Sequence, residues 1–256
     1  MRASEPLASW LLIGNSRWHW AQRPPEPGAA LRFCHTTPEA GFPAGGLRAW
    51  AAVGPVPATA MAGLAGAPRL DLSQVPLREM PAWLGVDRAL AGWGAWRQDH
   101  RPVLVADAGT ALSLTLVDGT GRFRGGRLQA GVALQLRALA AGTARLPRME
   151  AWPPIPSDSS PVGAAAAWPQ ETAAAMAEGV VRGLAAAVVA AAAEAVAVCP
   201  GCRLWLTGGD GAQLLPLIEP AMPAAAPLQL IHAPNLCLEA LVQLEDPQAR
   251  PRSPRI

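Results

Sequence analysis

A repeated strand–turn–strand pattern constrains the fold of this chain more than any other feature. An apolar run from Val103 ends in Asp107-Ala-Gly-Thr110, and a second apolar run follows at once and ends at Asp118. Two such runs joined by a short glycine-containing turn are typical of a β-hairpin. A similar turn, Ile13-Gly-Asn-Ser16, follows an apolar run near the N-terminus. The two patterns together predict an internal duplication.

Helical and strand segments follow each hairpin in the same order. We expect further strands over Leu31–His35, Arg203–Thr207 and Leu228–His232, with residues 45–53 mixed in character. We expect helices from about Asp87 to Trp96, over Val132–Ala141, over about 170–198, from about Ala212, and over Cys237–Leu244. The pattern predicts an α/β protein with halves 1–101 and 102–256, with a frayed tail from about residue 246. A cleft between two such halves is a favoured ligand site.

Composition narrows the possible chemistry. The 256-residue chain is 51% hydrophobic, which indicates a globular protein. Its net charge of +2 gives no indication of a nucleic-acid partner. All 21 basic residues are arginine. Without lysine the chain cannot form a Schiff base or the lysine-containing P-loop of many nucleotide-binding proteins.

The cysteines and the alanine-rich segment both have a simple structural interpretation. Cys199-Pro-Gly-Cys202 is a lone C-x-x-C pair, whereas a zinc site needs about four ligands, so a turn before the next strand is favoured over metal or redox work. The segment from about 170 to 198 contains Glu178, Arg182 and Glu194, which favours a buried helix over a membrane span. Residues 1–9 contain no long apolar run, and we expect a cytoplasmic protein.

Five segments, taken in order, resemble a known family. They are Ile13-Gly-Asn-Ser-Arg-Trp-His-Trp-Ala21, Leu84-Gly-Val-Asp-Arg-Ala89, Asp107-Ala-Gly-Thr-Ala111, Gly121-Arg-Phe-Arg-Gly-Gly126 and Leu206-Thr-Gly-Gly209. Over residues 10–245 the chain is similar to the type III pantothenate kinases, also called the Bvg accessory factor family. The resemblance implies two ribonuclease-H-like domains of the actin/sugar-kinase ATPase superfold. It also implies ATP-dependent phosphorylation of pantothenate to 4'-phosphopantothenate, the first step of coenzyme A biosynthesis, by a homodimer that uses Mg2+ and K+ or NH4+.

The resemblance also assigns roles to residues of this chain. Asp87 would be the catalytic proton acceptor, and pantothenate would contact Gly85, Val86, Asp87, Arg88 and Thr172. Asp107 would bind the monovalent cation. ATP would contact the first turn, the second turn and a glycine pair, comprising Leu12, Ile13, Gly14, Asn15, Ser16, Arg17, Trp18, His19, Thr110, Gly208 and Gly209.

The chemistry of these residue types agrees with that assignment, because phosphoryl transfer depends mainly on positioning and on charge neutralisation. Backbone N–H groups at Gly14-Asn15 and Gly109-Thr110 could cradle phosphates. Asp87 could also be explained as an acid that the helix dipole favours near a helix N-terminus. Thr172 could simply begin a helix.

Three positions depart from the family pattern. Leu12 stands where the family usually has aspartate, Thr115 stands where an acid is common, and Ala130 replaces a proline. Leu12 matters most, because the usual aspartate helps to organise metal-bound phosphate. Two alternatives therefore stay open, namely a catalytically impaired nucleotide-binding regulatory protein and a different small-molecule kinase of the same superfold.

Overall fold

The structure, a computed structural model, describes residues 7–26, 28–38, 41–42, 46–149, 168–222 and 228–246. These residues form two compact units. Unit 1 contains the described residues up to His100, Gly119–Phe123, and those from Asn235 onward, and unit 2 contains the rest. One boundary between the units falls between His100 and Arg101, and the described residues from Asn235 onward group with unit 1. The division into halves 1–101 and 102–256 stays a prediction.

The described elements alternate between strands and helices along the chain. They are β1 (Ala8–Ile13), β2 (Trp18–Arg23), β3 (Arg32–Thr36), β4 (Gly46–Ala52), α1 (Met61–Leu64), α2 (Val86–Trp96), β5 (Val103–Ala108), β6 (Ala111–Val117), β7 (Phe123–Ala130), α3 (Val132–Gly142), α4 (Thr172–Val198), β8 (Arg203–Thr207), α5 (Gly211–Ile218), β9 (Leu230–His232) and α6 (Leu236–Glu245).

Unit 1 contains a four-stranded sheet in the order β3-β2-β1-β4. Strands β1, β2 and β3 are antiparallel neighbours, and β4 pairs with β1 in parallel. Trp50 of β4 also forms a single parallel bridge with Arg69, which follows β4 in the chain. Trp18 and Trp20 pack with Leu11 and Ile13 in a hydrophobic cluster. Helix α6 packs against α2, β1, β2 and β4.

Unit 2 contains a five-stranded sheet in the order β7-β6-β5-β8-β9. Strands β5 and β6 are antiparallel, whereas β8 pairs in parallel with both β5 and β9. The strand order therefore repeats between the units: three consecutive strands, then a parallel strand beside the first of them. The bridge at Arg69 occupies in unit 1 the sheet position that β9 fills in unit 2. This repetition confirms the duplicated α/β architecture expected from the two hairpins.

The long alanine-rich helix α4 supplies much of the core of unit 2. Its buried side chains include Val181, Leu184, Val188 and Ala192, which recur every three or four residues and share one face. They join a cluster with residues of β5, β6 and β8. By length and hydropathy alone, α4 is the one helix of the described ranges that could span a membrane. Its packed face confirms the expected core helix within the folded unit.

Most expected elements are present with boundaries shifted by only a few residues. Residues 46–52, mixed in character from the sequence, form a strand, and β7 had no counterpart among the expectations. The sequence also predicts a proline-rich loop over Pro147–Pro161, of which residues 150–161 lie outside the described residues. The expected frayed tail lies outside them after Asp246.

Candidate functional site

The first hairpin turn is held by backbone hydrogen bonds and by a close approach at Gly54 that leaves no room for a side chain. The Gly14 N–H donates to the Arg17 carbonyl (2.9 Å), and the Ile13 carbonyl accepts from the N–H groups of Val53 (2.9 Å) and Gly54 (3.2 Å). A Cβ added to Gly54 would lie 2.1 Å from the Gly14 carbonyl oxygen. Any side chain at Gly54 would therefore force the turn away from the end of β4.

The second hairpin turn is supported in the same way in unit 2. Gly208 follows β8 with φ +88°, and a Cβ there would lie 2.3 Å from the Ala108 carbonyl oxygen and 2.5 Å from Asp107 Oδ1. A Cβ on Gly131 would lie 2.0 Å from the Gly109 carbonyl oxygen. In both units, the glycine that follows the parallel strand, Gly54 after β4 and Gly208 after β8, thus packs against the first hairpin of that unit. The two segments approach each other so closely that no side chain fits between them.

The expected catalytic acid lies in the first turn of α2 in unit 1. Asp87 is half-buried, and its Oδ1 accepts a hydrogen bond from the Arg88 N–H (2.7 Å). A Cβ added to Gly85 would lie 2.5 Å from the same oxygen. The Cys237 thiol of α6 donates to the Asp87 carbonyl (3.6 Å). The carboxylate is therefore confined by its own helix start, and α6 contacts the main chain of the same residue.

Burial controls the ionisation of this acid. Removal from water raises the pKa of Asp87 above its usual value, and the hydrogen bond from Arg88 opposes that rise only in part. Arg88 is itself buried, and burial lowers its pKa. A carboxylate with a raised pKa is a better proton acceptor than an exposed aspartate, which suits general-base chemistry.

Within unit 1, the first turn and the start of α2 meet at the end of β4. Val53 bonds to Ile13 through its N–H, and its Cγ1 lies 3.6 Å from a Cβ placed on Gly85. Through Val53 and Gly54, the structure links the segments 12–19 and 85–88 that the sequence proposed separately. Asn15, Ser16 and Arg17 are exposed at the tip of the turn, whereas Leu12 and Trp18 are buried.

Within unit 2, the residues expected near ATP and the monovalent cation also lie together. The contacts of Gly208 join the glycine pair 208–209 to Asp107 at the end of β5, next to the turn that carries Thr110. Thr172 is exposed and is the first residue of α4, so its substrate contact stays a prediction. The sequence did not identify Gly54 and Gly131 as residues that pack against the two turns. Their only signal in the sequence was that Gly54 follows a strand and Gly131 precedes a helix.

Two features of the structure bear on the expected phosphate contacts. The N–H of Gly14 is engaged by Arg17, and that of Gly109 donates to the Ala111 carbonyl (3.1 Å). Neither glycine amide is therefore available as a phosphate donor, because each closes its own turn. Leu12 is only 5% exposed, so its side chain serves the core of unit 1 and any ligand contact from it must come from the main chain.

The described residues contain no preformed set of protein ligands for a divalent cation. Across ranges 7–26, 28–38, 41–42, 46–149, 168–222 and 228–246, no three histidine, cysteine or acidic side chains are grouped to hold one. Mg2+ binding does not require such a group, because Mg2+ usually keeps several waters and takes further ligands from substrate phosphates. Cys199 and Cys202 are buried thiols, and burial raises the pKa of both, that of Cys202 to about 12, which disfavours the reactive thiolate form.

The repeated sheet order and the paired glycine-supported turns define a duplicated α/β protein. Residues 62–194 match the family model described as Type III pantothenate kinase. The chain is 40% identical over 206 residues to the type III pantothenate kinase of Thermosynechococcus vestitus, covering 78% of this chain and 76% of that protein. The chain therefore belongs to the type III pantothenate kinase family.

Other relatives agree with this placement. The type III pantothenate kinase of Synechococcus elongatus is 34% identical over 223 residues, covering 81% of this chain and 86% of that protein. That of Synechococcus sp. JA-3-3Ab is 43% identical over 151 residues, which span 59% of either chain. A solved structure described as a Baf family transcriptional activator from Campylobacter jejuni has a TM-score of 0.57 at 18% identity, covering 94% of this chain and 100% of that one. That likeness supports the fold.

Proposed function

We propose that this protein transfers the γ-phosphoryl group of ATP to pantothenate, giving 4'-phosphopantothenate and ADP in the first step of coenzyme A biosynthesis. Family membership supplies the reaction, and the placement of Asp87 is the observation that carries it here. A half-buried carboxylate with a raised pKa stands at the start of a helix, and one of its oxygens is fixed by a backbone N–H.

On the acceptor side, Asp87 takes the proton from the pantothenate hydroxyl as the oxygen forms its bond to phosphorus. The bond from phosphorus to the ADP oxygen breaks in the same displacement, and the departing charge stays on ADP. Gly85 and Arg88 lie against this carboxylate, and Val86 lies between Gly85 and Asp87 in the chain. The buried Arg88 supplies a positive charge for an anionic substrate. Thr172 is the remaining pantothenate contact that the resemblance supplies.

On the nucleotide side, the first turn binds phosphate through the amides after Gly14, because the Gly14 N–H is already used. The exposed Asn15, Ser16 and Arg17 are the groups suited to this task. In unit 2, Thr110 contacts ATP and the Gly208-Gly209 pair accommodates adenosine, where the lack of a side chain permits close approach.

Cations complete the proposed site. Mg2+ would neutralise phosphate charge while held mainly by ATP oxygens and water, since the described residues group no three candidate ligands. Asp107 would provide a carboxylate for K+ or NH4+. We further propose that the protein acts as a cytoplasmic homodimer with no nucleic-acid or membrane partner.

A coupled assay that follows ADP release tests this function directly. ADP formation should require pantothenate, should fail with acetate or hexoses as acceptors, and should fall when K+ is replaced by Na+. ADP release that a sugar or acetate supports better than pantothenate would instead indicate a different kinase of the same superfold.

A second candidate is a nucleotide-binding protein with impaired catalysis, because the buried apolar side chain of Leu12 replaces the aspartate of the family pattern. That protein would bind ATP but form no phosphopantothenate, and Leu12→Asp would restore turnover. High activity of the wild-type chain would dismiss it.

A further inference from the structure

A row of side chains crosses the sheet of unit 1 beside the first turn. Leu12 of β1 is directly opposite His19 of β2, and His19 is directly opposite His35 of β3. Directly opposed residues of antiparallel strands project from the same face of the sheet. His19 therefore neighbours the position at which Leu12 replaces the family's usual aspartate, and a second histidine stands on its other side.

The two imidazoles are joined through the same type of nitrogen. His19 Nδ1 lies 2.9 Å from His35 Nδ1, and the rings meet edge to face with centroids 5.0 Å apart. In a hydrogen bond between two Nδ1 atoms, one must donate a proton and the other must accept it. The protonation of one ring therefore dictates the tautomer of its neighbour.

The other nitrogen of His19 faces the turn. Its Nε2 would lie 3.1 Å from a Cβ placed on Gly14, so the ring edge stands directly over the glycine of the first turn. If His35 donates its Nδ1–H, His19 accepts at Nδ1 and must carry its own proton on Nε2. The ring then presents an N–H donor at the turn expected to bind phosphate.

Burial, and then nearby positive charge, keep the pair neutral when no anion is bound. Burial, then the nearby His35, then Arg17 lower the pKa of His19 to about 4, and burial together with Arg17 lowers the pKa of His35. Helix α6 packs on β1 and β2 and carries Cys237, Glu239 and Glu245. The neighbours whose charge lowers the pKa of His19 are, however, His35 and Arg17. A bound polyphosphate would counter this positive surrounding and favour uptake of a proton.

We propose that His35 is a positioning residue that holds His19 in the Nε2–H tautomer, and that His19 donates this hydrogen to a phosphate oxygen of ATP. The pair thereby gives the first turn a phosphate ligand in a chain that lacks the usual acid at residue 12. The inference rests on the proposed function, because it needs ATP at this turn. It adds an expected pH response, since an anionic ligand and a proton on the pair bind cooperatively.

Paired substitutions separate hydrogen bonding from packing. Asparagine places its amide where Nδ1 stands, and glutamine places its amide where Nε2 stands. His35→Asn therefore keeps the donor to His19 but cannot titrate, whereas His35→Leu loses both functions. His19→Gln keeps a donor at the turn, and His19→Leu removes it. Thermal unfolding of each variant checks that it folds.

The measurement is the affinity for AMPPNP by calorimetry, together with KM for ATP and for pantothenate. His19→Leu should weaken AMPPNP binding and raise KM for ATP on the order of tenfold, the loss of one hydrogen bond to a charged group, while KM for pantothenate stays unchanged. His35→Leu should weaken binding by a smaller factor in the same direction. His35→Asn should match wild type near pH 8 but lack the extra tightening near pH 6 that wild type displays.

Nitrogen-15 shifts of the histidine rings provide the second readout, since they distinguish the tautomers. Wild type with AMPPNP should place the His19 proton on Nε2, and His35→Leu should lose that preference. Finding the His19 proton on Nδ1 would overturn this inference and leave the proposed function standing. The same holds if His35→Leu and His19→Leu both bind AMPPNP with wild-type affinity in an active enzyme. A wild-type chain that neither binds AMPPNP nor turns over would overturn the proposed function and, with it, this inference.

Discussion

Gly85→Ala should damage turnover far more than it damages folding. A Cβ at this position would lie 2.5 Å from Asp87 Oδ1, and real Cβ atoms essentially never approach closer than 3.0 Å. The carboxylate must therefore move by at least about 0.5 Å, and displacements near 1 Å in an active site can lower a rate by about 100-fold. We expect kcat to fall between about tenfold and 100-fold.

The backbone tolerates the same substitution. Gly85 has φ −61° and ψ 138°, which any residue adopts, and the atom that must yield is the end of a movable side chain. The free energy of unfolding should therefore change by less than about 1 kcal/mol, because a weaker N-cap is offset by lost freedom of the unfolded chain.

The assay is pantothenate-dependent ADP release, with chemical denaturation on the same samples. Gly183→Ala is the matched control, because an added Cβ on this exposed helical glycine meets nothing within 4 Å. The control should keep full activity and gain about 1 kcal/mol of stability. Unchanged kcat in Gly85→Ala, or a kcat loss accompanied by a large loss of stability, would refute the positioning argument for Asp87.

Three further predictions concern stability and ionisation. Gly208→Ala should lower the unfolding free energy by more than about 2 kcal/mol, since φ +88° and a backbone oxygen 2.3 Å away both oppose a Cβ; a neutral result in denaturant titration would contradict this. Leu184→Ala, which removes a 2% exposed core side chain of α4, should cost about 2–5 kcal/mol, and a loss below about 1 kcal/mol would place α4 outside the core. Burial raises the pKa of Asp87, so its protonated form stabilises the fold below the unfolded-state pKa and this contribution is lost as pH rises through the folded pKa. Asp87→Asn should therefore unfold at a higher temperature than wild type at neutral pH, with the difference vanishing in acid, and a lower melting temperature at neutral pH would contradict that sign.

The sequence was sufficient for elements that carry a strong local pattern. The strand Arg203–Thr207 and the hairpin at Asp107–Thr110 follow from short apolar runs ended by turn residues, and α4 follows from its alanine content. Strand β7 escaped because its sequence includes Gly125-Gly126 and most of its residues are exposed, so it has no buried face to create an alternating pattern. A strand of this kind is specified by its neighbour β6 and not by its own residues.

The site was predictable as a set of segments but not as a geometry. Resemblance identified the turn at 12–19 and the start of α2, yet only the fold reveals that Val53 and Gly54 connect them. The same limit applies to α6, which is distant in sequence from β1 but packs against it. His35 carries no motif at all, and its relation to His19 arises from the register of β2 against β3.

Single-turnover phosphoryl transfer in Asp87→Asn, compared with wild type, tests the central account most directly. Rapid quench with labelled ATP measures the formation of 4'-phosphopantothenate, and calorimetry measures AMPPNP affinity on the same protein. We expect transfer to slow by about 100-fold or more while AMPPNP affinity is retained, as befits the loss of a general base. Transfer at the wild-type rate in Asp87→Asn would contradict the role assigned to this carboxylate.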